Sequence, residues 1–362
     1  MSFLTTIAPK VLPGSIFAPL WRRLFWKKSS AGFEDAIQHF VIEKGVTDEK
    51  EVNRLRNRLV KAYFKDEWGP DEFFFFNHDR LSRKGIHDFV GNREATRFWN
   101  YMNTDDVYLL TCDKGRTYQY FKQFFHRDLV AVFQDKADSL NELVRFIQKH
   151  PKFIVKPEFG NYGNGVRIID LAGKEDVESS CRDLLKEYPD GLIAEELIIQ
   201  CKELEEFHPS SVNTVRISTV RQSNGEIYII HRPFIRFGTG NRCVDNGGNG
   251  GIFGGVDFET GIIKGAIDER MNRYVVHPDT GKTILGYQVP RWAEAKSLVV
   301  ELAKVLPELR YCGWDLALTE KGWVMVEANG KGLFIGFQMP TQEGFRKEFE
   351  DIKRRCGYQD ER

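Results

Sequence analysis

Apolar residues recur at helical spacing through the first third of the chain and at strand spacing through most of the remainder. Between 33 and 66, Val52, Leu55, Leu59 and Val60 fall on one stripe of a 3.6-residue repeat, which predicts helix. The run DEFFFFNHD (71–79) is too short and aromatic for a membrane span and is expected to plug an N-terminal region into the main body. Residues 80–104 read as partly helical. In SLNELVRFIQKH (139–150), Ser139 and Glu142 have capping-box spacing ahead of Leu140, Leu143, Val144 and Ile147, so a helix capped by Ser139 is expected. From residue 151 the pattern changes to strand-like runs: KFIVKPEF, VRIIDL, GLIAEELII, NTVRISTVRQ and EIYIIHRPFIRFG, the last two joined by a Ser223-Asn224-Gly225 turn signal. Amphipathic helices at about 174–187 and 291–305 interrupt them. Runs of strands with inserted helices predict an α+β fold rather than regular βαβ alternation.

Composition narrows the partners. The 362 residues are 41% hydrophobic and 29% charged, an ordinary globular balance. Lysine plus arginine and aspartate plus glutamate each total 52, well mixed along the chain, so no global charge points to nucleic acid. The six cysteines form no C-x-x-C pair and the eight histidines no H-x-x-x-H spacing; buried, reduced thiols in a cytoplasmic protein are expected. Pro9, Pro13 and Pro19 break the partly apolar start, which speaks against a signal peptide or transmembrane segment. The segment LWRRLFWKK (20–28) mixes aromatic with basic residues. Peripheral contact with an anionic membrane is one reading, and an arm packed on its own protein or a partner is the one favoured for so short a stretch.

Three stretches carry candidate chemistry. In FIVKPEFGNYGNGVRIID (153–170), Lys156 sits inside an apolar strand, a costly place for a charge that no anion meets. Gly160, Asn161, Gly163, Asn164 and Gly165 follow in a turn whose backbone N–H groups can approach a phosphate. The spacing is neither a Walker nor a Rossmann pattern, and a glycine-rich hairpin beside a snorkelling lysine explains it equally well. In GLIAEELIIQ (191–200), Glu195 and Glu196 lie in one strand and point opposite ways, so at least one faces a polar partner: a purine amine, or a structural ion pair. In GWDLALTEKGWVMVEANGKG (313–332), a three-residue loop Glu320-Lys321-Gly322 would pair Thr319 with Trp323 and set Asp315 across from Glu327, with Asn329 on the same face. Two carboxylates and an amide oxygen on one patch suit a hard cation, Mg²⁺ or Mn²⁺ rather than zinc. An exposed polar hairpin end is the plainer alternative. The loop 245–255 has six glycines in eleven positions, too many for a strand interior, and reads as close backbone approach to a ligand or as a flexible surface loop.

These stretches, with TCDKGRTYQYF (111–121), SSVNTVRISTV (210–220), FIRFGTGNRCVDNGGNGGIFGGVD (234–257), HPDTG (277–281) and VPRWAE (289–294), occur in an order that resembles the ATP-grasp superfamily, and more closely its sugar-transfer-associated family. The likeness covers about 105 to 345, with 70 to 104 fitting more loosely. Residues 1–70 lie outside it. It implies an ATP-grasp fold with a small lobe carrying the phosphate loop at 105–200 and a large lobe carrying the metal site at 201–350, flanked by a mainly helical region at 1–104 and a tail at 351–362. It implies that Lys114 and Lys156 hold ATP phosphates under the 160–165 loop. Glu195 would meet the adenine amine, Glu196 and the backbone near Leu197 and Ile198 would complete the base site, and Glu203 is the loosely aligned ribose candidate. Asp315, Glu327 and Asn329 would bind Mg²⁺, with Mn²⁺ as the alternative ion. Arg216 would face the γ-phosphate, and Arg236, Asn246, Gly247, Gly248 and Lys331 form the candidate acceptor set. The activity implied is ATP-dependent carboxylate–amine ligation through an acylphosphate, on small-molecule substrates that the family context makes sugar-linked. A kinase on the same scaffold and a non-catalytic ATP-binding regulator are the alternatives.

Overall fold

Two antiparallel sheets carry the main body. The structure, a computed structural model, describes residues 8–26, 32–159, 165–241, 245, 250–332 and 334–359. The smaller sheet contains β1 (Leu129–Val132), β2 (Lys152–Pro157), β3 (Arg167–Asp170) and β4 (Leu192–Glu196), in spatial order β1-β4-β2-β3. Helices Ser139–Lys149 and Val177–Glu187 cover one face, packing Leu143, Phe146, Leu184 and Leu185 on Phe153, Val155, Leu192 and Ala194. Alternation along the strands then turns Ile154, Lys156, Ile193 and Glu195 toward a cavity on the opposite face. Asp138, not Ser139, occupies the position before the first of these helices; the Ser139 hydroxyl instead accepts from the Phe133 N–H at 3.0 Å, so the expected capping box is absent. The second starts at Val177 because Asp176 caps it, accepting from Ser179 N–H at 2.8 Å.

The larger sheet orders β11 (Gly322–Asn329), β10 (Tyr311–Thr319), β5 (Val215–Arg221), β7 (Phe234–Phe237), β8 (Ile252–Val256) and β9 (Ile263–Asp268), with β6 (Ile227–Ile229) paired to β5. One face packs Ile217, Cys312, Trp314, Leu316 and Met325 against helices Lys114–Phe125 and Trp292–Val305. Thus the helix starting at Lys114, expected with the small lobe, rests on the large sheet, where Phe121 meets Trp314 edge-on with centroids 5.4 Å apart. Each such fully buried side chain contributes about 1.5–3 kcal/mol. Helices Asn92–Met102 and Arg346–Cys356 cover part of the other face around Phe334 and Tyr311. Phe349, Ile352 and Cys356 are buried there, so the helix packs one face into the core as far as Cys356 where a tail was expected.

The β10–β11 hairpin differs from expectation in an instructive way. Thr319 faces Gly322 across a two-residue turn, Glu320-Lys321, which by itself would put Asp315 out of step with Glu327. A bulge restores the step: Leu316 pairs with Met325 and Asp315 with Glu327, leaving Val326 as the extra residue. Met325 points into the apolar core, and the bulge turns Glu327 to the other face. Gly254 and Gly255 also correct an expectation, for they lie inside β8. A Cβ there would come within 2.9 Å of Ile235 and 2.7 Å of Thr341 respectively, so close packing explains them.

The N-terminal region is helical, with Gly14–Phe25, Phe33–Ile37 continuing as a π turn to Ile42, Glu49–Lys65 and Pro70–Phe75. Its core includes Phe17, Trp21, Phe33 and the four phenylalanines 73–76, and is shared with Ile267 of β9 and Met339. Asn103 ties the region to the hairpin: its Nδ2 donates to the Tyr311 and Gly330 carbonyls, both at 2.8 Å, and its Oδ1 accepts from Tyr311 N–H at 3.1 Å. His78 is fully buried among Trp68, Phe73, Phe76 and Phe89, and neither ring nitrogen has a partner among the described residues. Burial, assisted by Arg58, lowers its pKa to about 3. The unfolded chain therefore binds the extra proton first, and stability falls as pH drops from the ordinary histidine value toward 3. We expect urea unfolding to show a loss of about 2 kcal/mol between pH 7 and pH 5, a loss that His78→Phe removes.

Candidate active site

The uncovered part of the large sheet and the inner face of the small sheet enclose a cavity of about 620 Å³. On the large sheet, Asp315 of β10 pairs in register with Arg216 of β5 on one side and Glu327 of β11 on the other. Arg216 grips Asp315 with two parallel bonds, Nε to Oδ1 and Nη2 to Oδ2, the second 2.6 Å long. Arg236 of β7 adds a third contact, Nη2 to Oδ2 at 2.9 Å, and also donates to the Thr214 hydroxyl, whose own proton goes to Asp245. Burial alone would raise the pKa of Asp315, but the two arginines outweigh it and hold the carboxyl below its ordinary range. Burial would likewise depress Arg216, and Asp315 pushes it above its ordinary value. Glu327 is the opposite case: it has no hydrogen bond or ion pair among the described residues, and burial and then Asp315 raise its pKa.

Asn329 lies beside this pair, its Nδ2 3.3 Å from the Gly313 carbonyl and 3.4 Å from Asp315 Oδ2, which leaves its amide oxygen free. The donors here are all oxygens. Asp315 Oδ1 keeps a lone pair, Glu327 keeps both its oxygens, and the unbalanced charge between them would be relieved by a divalent cation. The set fits Mg²⁺ or Mn²⁺.

Across the cavity, Lys156 of β2 donates to Glu195 Oε2 of β4 at 2.6 Å, while the Arg127 guanidinium binds Oε1. Arg127 also donates to the Phe125 and Met325 carbonyls at 2.9 and 2.7 Å, so it joins the small sheet to the β10–β11 hairpin. Burial would raise the Glu195 pKa, but Arg127 and Lys156 keep it lowered. Glu195 therefore anchors Lys156 as well as lining the cavity. The Glu196 carboxylate accepts from the Asp128 N–H at 3.0 Å, and the residue is also part of the cavity lining. Beyond it the chain leaves the ladder, and Leu197 and Ile198 form part of the wall. Lys114 reaches the same space from the helix it begins, donating to the Glu158 carbonyl at 3.1 Å. Burial lowers its pKa, with Lys156 adding to the effect and Glu327 opposing it. Gly165 holds φ +72°, and its carbonyl accepts from the Tyr188 hydroxyl at 2.8 Å. Gly160, Asn161, Gly163 and Asn164 lie outside the described residues, as do Asn246, Gly247 and Gly248.

Glu203 does not reach this cavity. It is exposed on the short helix Lys202–Glu205, and Glu205, two positions on and so turned to the other side, lines the wall instead. Lys331 lines the rim, 3.7 Å from Asp105 and over the Tyr108 ring. Sequence reading missed four contributors. Arg127 and Asp245 hold the charged pairs; Glu158 braces the root of the glycine loop, its Oε1 accepting from Gly115 N–H at 2.8 Å, with burial raising its pKa to about 7. Glu269 lines the cavity together with Phe234 and Phe253, without a hydrogen bond or ion pair among the described residues, and burial raises its pKa.

The family pattern described as sugar-transfer-associated ATP-grasp matches residues 93–354, more than half of the chain. The chain belongs to the sugar-transfer-associated ATP-grasp family. Its fold is the ATP-grasp fold, with a helical region added at the N-terminal side. Among solved structures it is similar to the ATP-grasp ligase PsnB complexed with minimal precursor, at 14% identity and TM-score 0.41 over 72% of this chain and 68% of that one. It is also similar to D-alanine–D-alanine ligases from Helicobacter pylori (13%, TM-score 0.43, 73% and 68%) and Bacillus anthracis (15%, TM-score 0.38, 68% and 67%). No curated protein matches. In this member, Asp128, His150 and Glu196 also approach one another, but Lys149 and His150 already bind Asp128 and lower its pKa, which makes the cluster a surface ion pair.

Room for Arg216 depends on Gly313, where a Cβ would lie 3.0 Å from Arg216 Cδ and 3.3 Å from Ser218 Oγ. Gly313→Ala should force the arginine stem aside and cost about 1–3 kcal/mol in urea unfolding. Unchanged stability would show that the stem has slack.

Proposed function

We propose that this ATP-grasp protein is an ATP- and Mg²⁺-dependent carboxylate–amine ligase that forms an amide through an acylphosphate. The observation that carries the reading is the convergence on one cavity of Lys114, Lys156, Arg216, Arg236 and the Asp315–Glu327–Asn329 face, with Glu327 unpaired among the described residues. Phosphoryl transfer needs positioning and charge neutralisation more than covalent help from the protein, and these are groups that supply both. Lys114 and Lys156 bind the phosphates beneath the 160–165 loop. Glu195 and the backbone of Leu197 and Ile198 take the adenine edge, and Glu205 takes the ribose contact. Mg²⁺ held by Asp315, Glu327 and Asn329 would supply charge neutralisation at the phosphate oxygens.

Arg216 and Arg236 orient the substrate carboxylate toward the γ-phosphate. The carboxylate oxygen bonds to phosphorus and ADP leaves. The amine nitrogen then bonds to the acyl carbon, phosphate leaves and the nitrogen gives up a proton. Water would hydrolyse the intermediate, so the site must be enclosed while it exists. Phe234, Phe253 and Glu269 face the body of the acceptor, and Glu269 offers a carboxylate to its hydroxyl or ammonium groups. The family description supports a sugar acid, a glycan precursor or an amino acid joined to one, in polysaccharide biosynthesis.

The decisive measurement is product analysis. ADP and phosphate should appear only when an acid and an amine are both present, with one amide formed per ATP. A stable phosphorylated hydroxyl product without amide would make the protein a kinase. Magnesium-dependent ATP binding without turnover would make it a regulator. Asp315→Asn and Glu327→Gln are expected to lower turnover about 100-fold or more. Glu327→Gln should leave thermal stability equal or higher, because it removes the repulsion with Asp315. Parallel loss of fold and turnover in Glu327→Gln would count against metal binding at this face.

A further inference from the structure

Helix Gly14–Phe25 is apolar on two sides. Phe17, Ala18 and Trp21 turn inward and are buried, Trp21 against Phe33 and Phe64. A surface helix with one buried face ordinarily turns polar and charged groups outward. Here the outward stripe is Ile16, Leu20 and Leu24, four residues apart and 58%, 40% and 48% exposed; Val11, at the end of the preceding short helix, is 63% exposed. Exposed single apolar residues are common on proteins, but a row of them along one helix marks a surface that something covers.

Charge selects what that is. Residues 1–33 contain Lys10, Arg22, Arg23, Lys27 and Lys28 and no aspartate or glutamate. Because the whole chain balances 52 basic against 52 acidic residues, the remainder carries the matching excess of acid. A second copy docking helix to helix about a two-fold axis would meet this segment with like charge. A lipid surface with anionic headgroups complements both the apolar row and the cations around it.

We propose that helix Gly14–Phe25 docks the protein on an anionic membrane surface. The helix lies in the interfacial plane, with Ile16, Leu20 and Leu24 at the acyl boundary and Lys10 and Arg23 among the headgroups. No helix among the described residues is long and apolar enough to cross a membrane, so the contact is peripheral. None of these residues lines the ATP-grasp cavity, and the inference stands apart from the ligase reading.

Co-sedimentation of the full chain with vesicles tests it. We expect binding to phosphatidylcholine vesicles containing about one-third phosphatidylglycerol, little binding to phosphatidylcholine alone, and steep weakening with added salt. Leu20→Glu/Leu24→Glu should lower the affinity at least ten-fold, and Arg23→Gln roughly five-fold, with unchanged thermal unfolding because all three side chains are exposed. Failure to bind the anionic vesicles at low salt, or binding that the double variant leaves intact, overturns the proposal. So does a dimer seen by sedimentation without lipid that the double variant dissolves, which would give the stripe to a second copy.

Discussion

Two carboxylates face each other across β10 and β11, and among the described residues only one of them is neutralised. Asp315 is gripped by Arg216 and Arg236; Glu327, its cross-strand neighbour, is raised in pKa and has no ion pair among the described residues. A buried pair of this kind is tolerated only where its surroundings are built around it. Much of the large sheet can be read as that construction. Gly313 leaves space for the arginine stem, and Thr214 and Asp245 hold the second arginine in plane. Trp314 and Leu316 fill the core beneath, fixing the strand that presents Asp315.

On the small sheet the same logic runs with opposite sign. Lys156 is a cation in an apolar strand, and Glu195 accompanies it, shared with Arg127. Arg127 in turn holds the Met325 carbonyl one residue before the bulge. The two charged arrangements are thus mechanically joined through a single guanidinium. Removing one partner of such a buried set typically costs 3–5 kcal/mol, since the other is left uncompensated.

The outline of this was legible in sequence because polar residues stood out against apolar strands: Lys156, Glu195, Arg216, Asp315, Glu327. The facing of Asp315 and Glu327 was also legible, though by a count that put the extra residue in the turn when it sits at Val326. A bulge leaves the composition of a strand unchanged, so nothing in WVMVEAN distinguishes the two. Glu203 and Glu205 could not be separated without knowing the phase of a four-residue helix. Arg127 and Glu158 lie just beyond the ends of elements and Asp245 lies in no helix or strand, so no periodicity selects them. The glycines of β8 were read as loop residues because the neighbours they make room for, Ile235 and Thr341, are distant in the chain. The aromatic run at 71–79 carried a signal strong enough to survive translation into structure, since four successive phenylalanines have few places to go but a core.

Asn103 has a consequence for how the molecule comes into being. Its three bonds join it to Tyr311, 208 residues away, and to Gly330, 227 residues away. Contacts of such sequence separation must repay a large loop-closure entropy and form slowly. During synthesis the amide waits beside a helix whose partner strands do not yet exist, with its polar groups hydrated. The cavity therefore assembles only after residue 330 has been made, and until then its cations and carboxylates are ordinary solvated side chains.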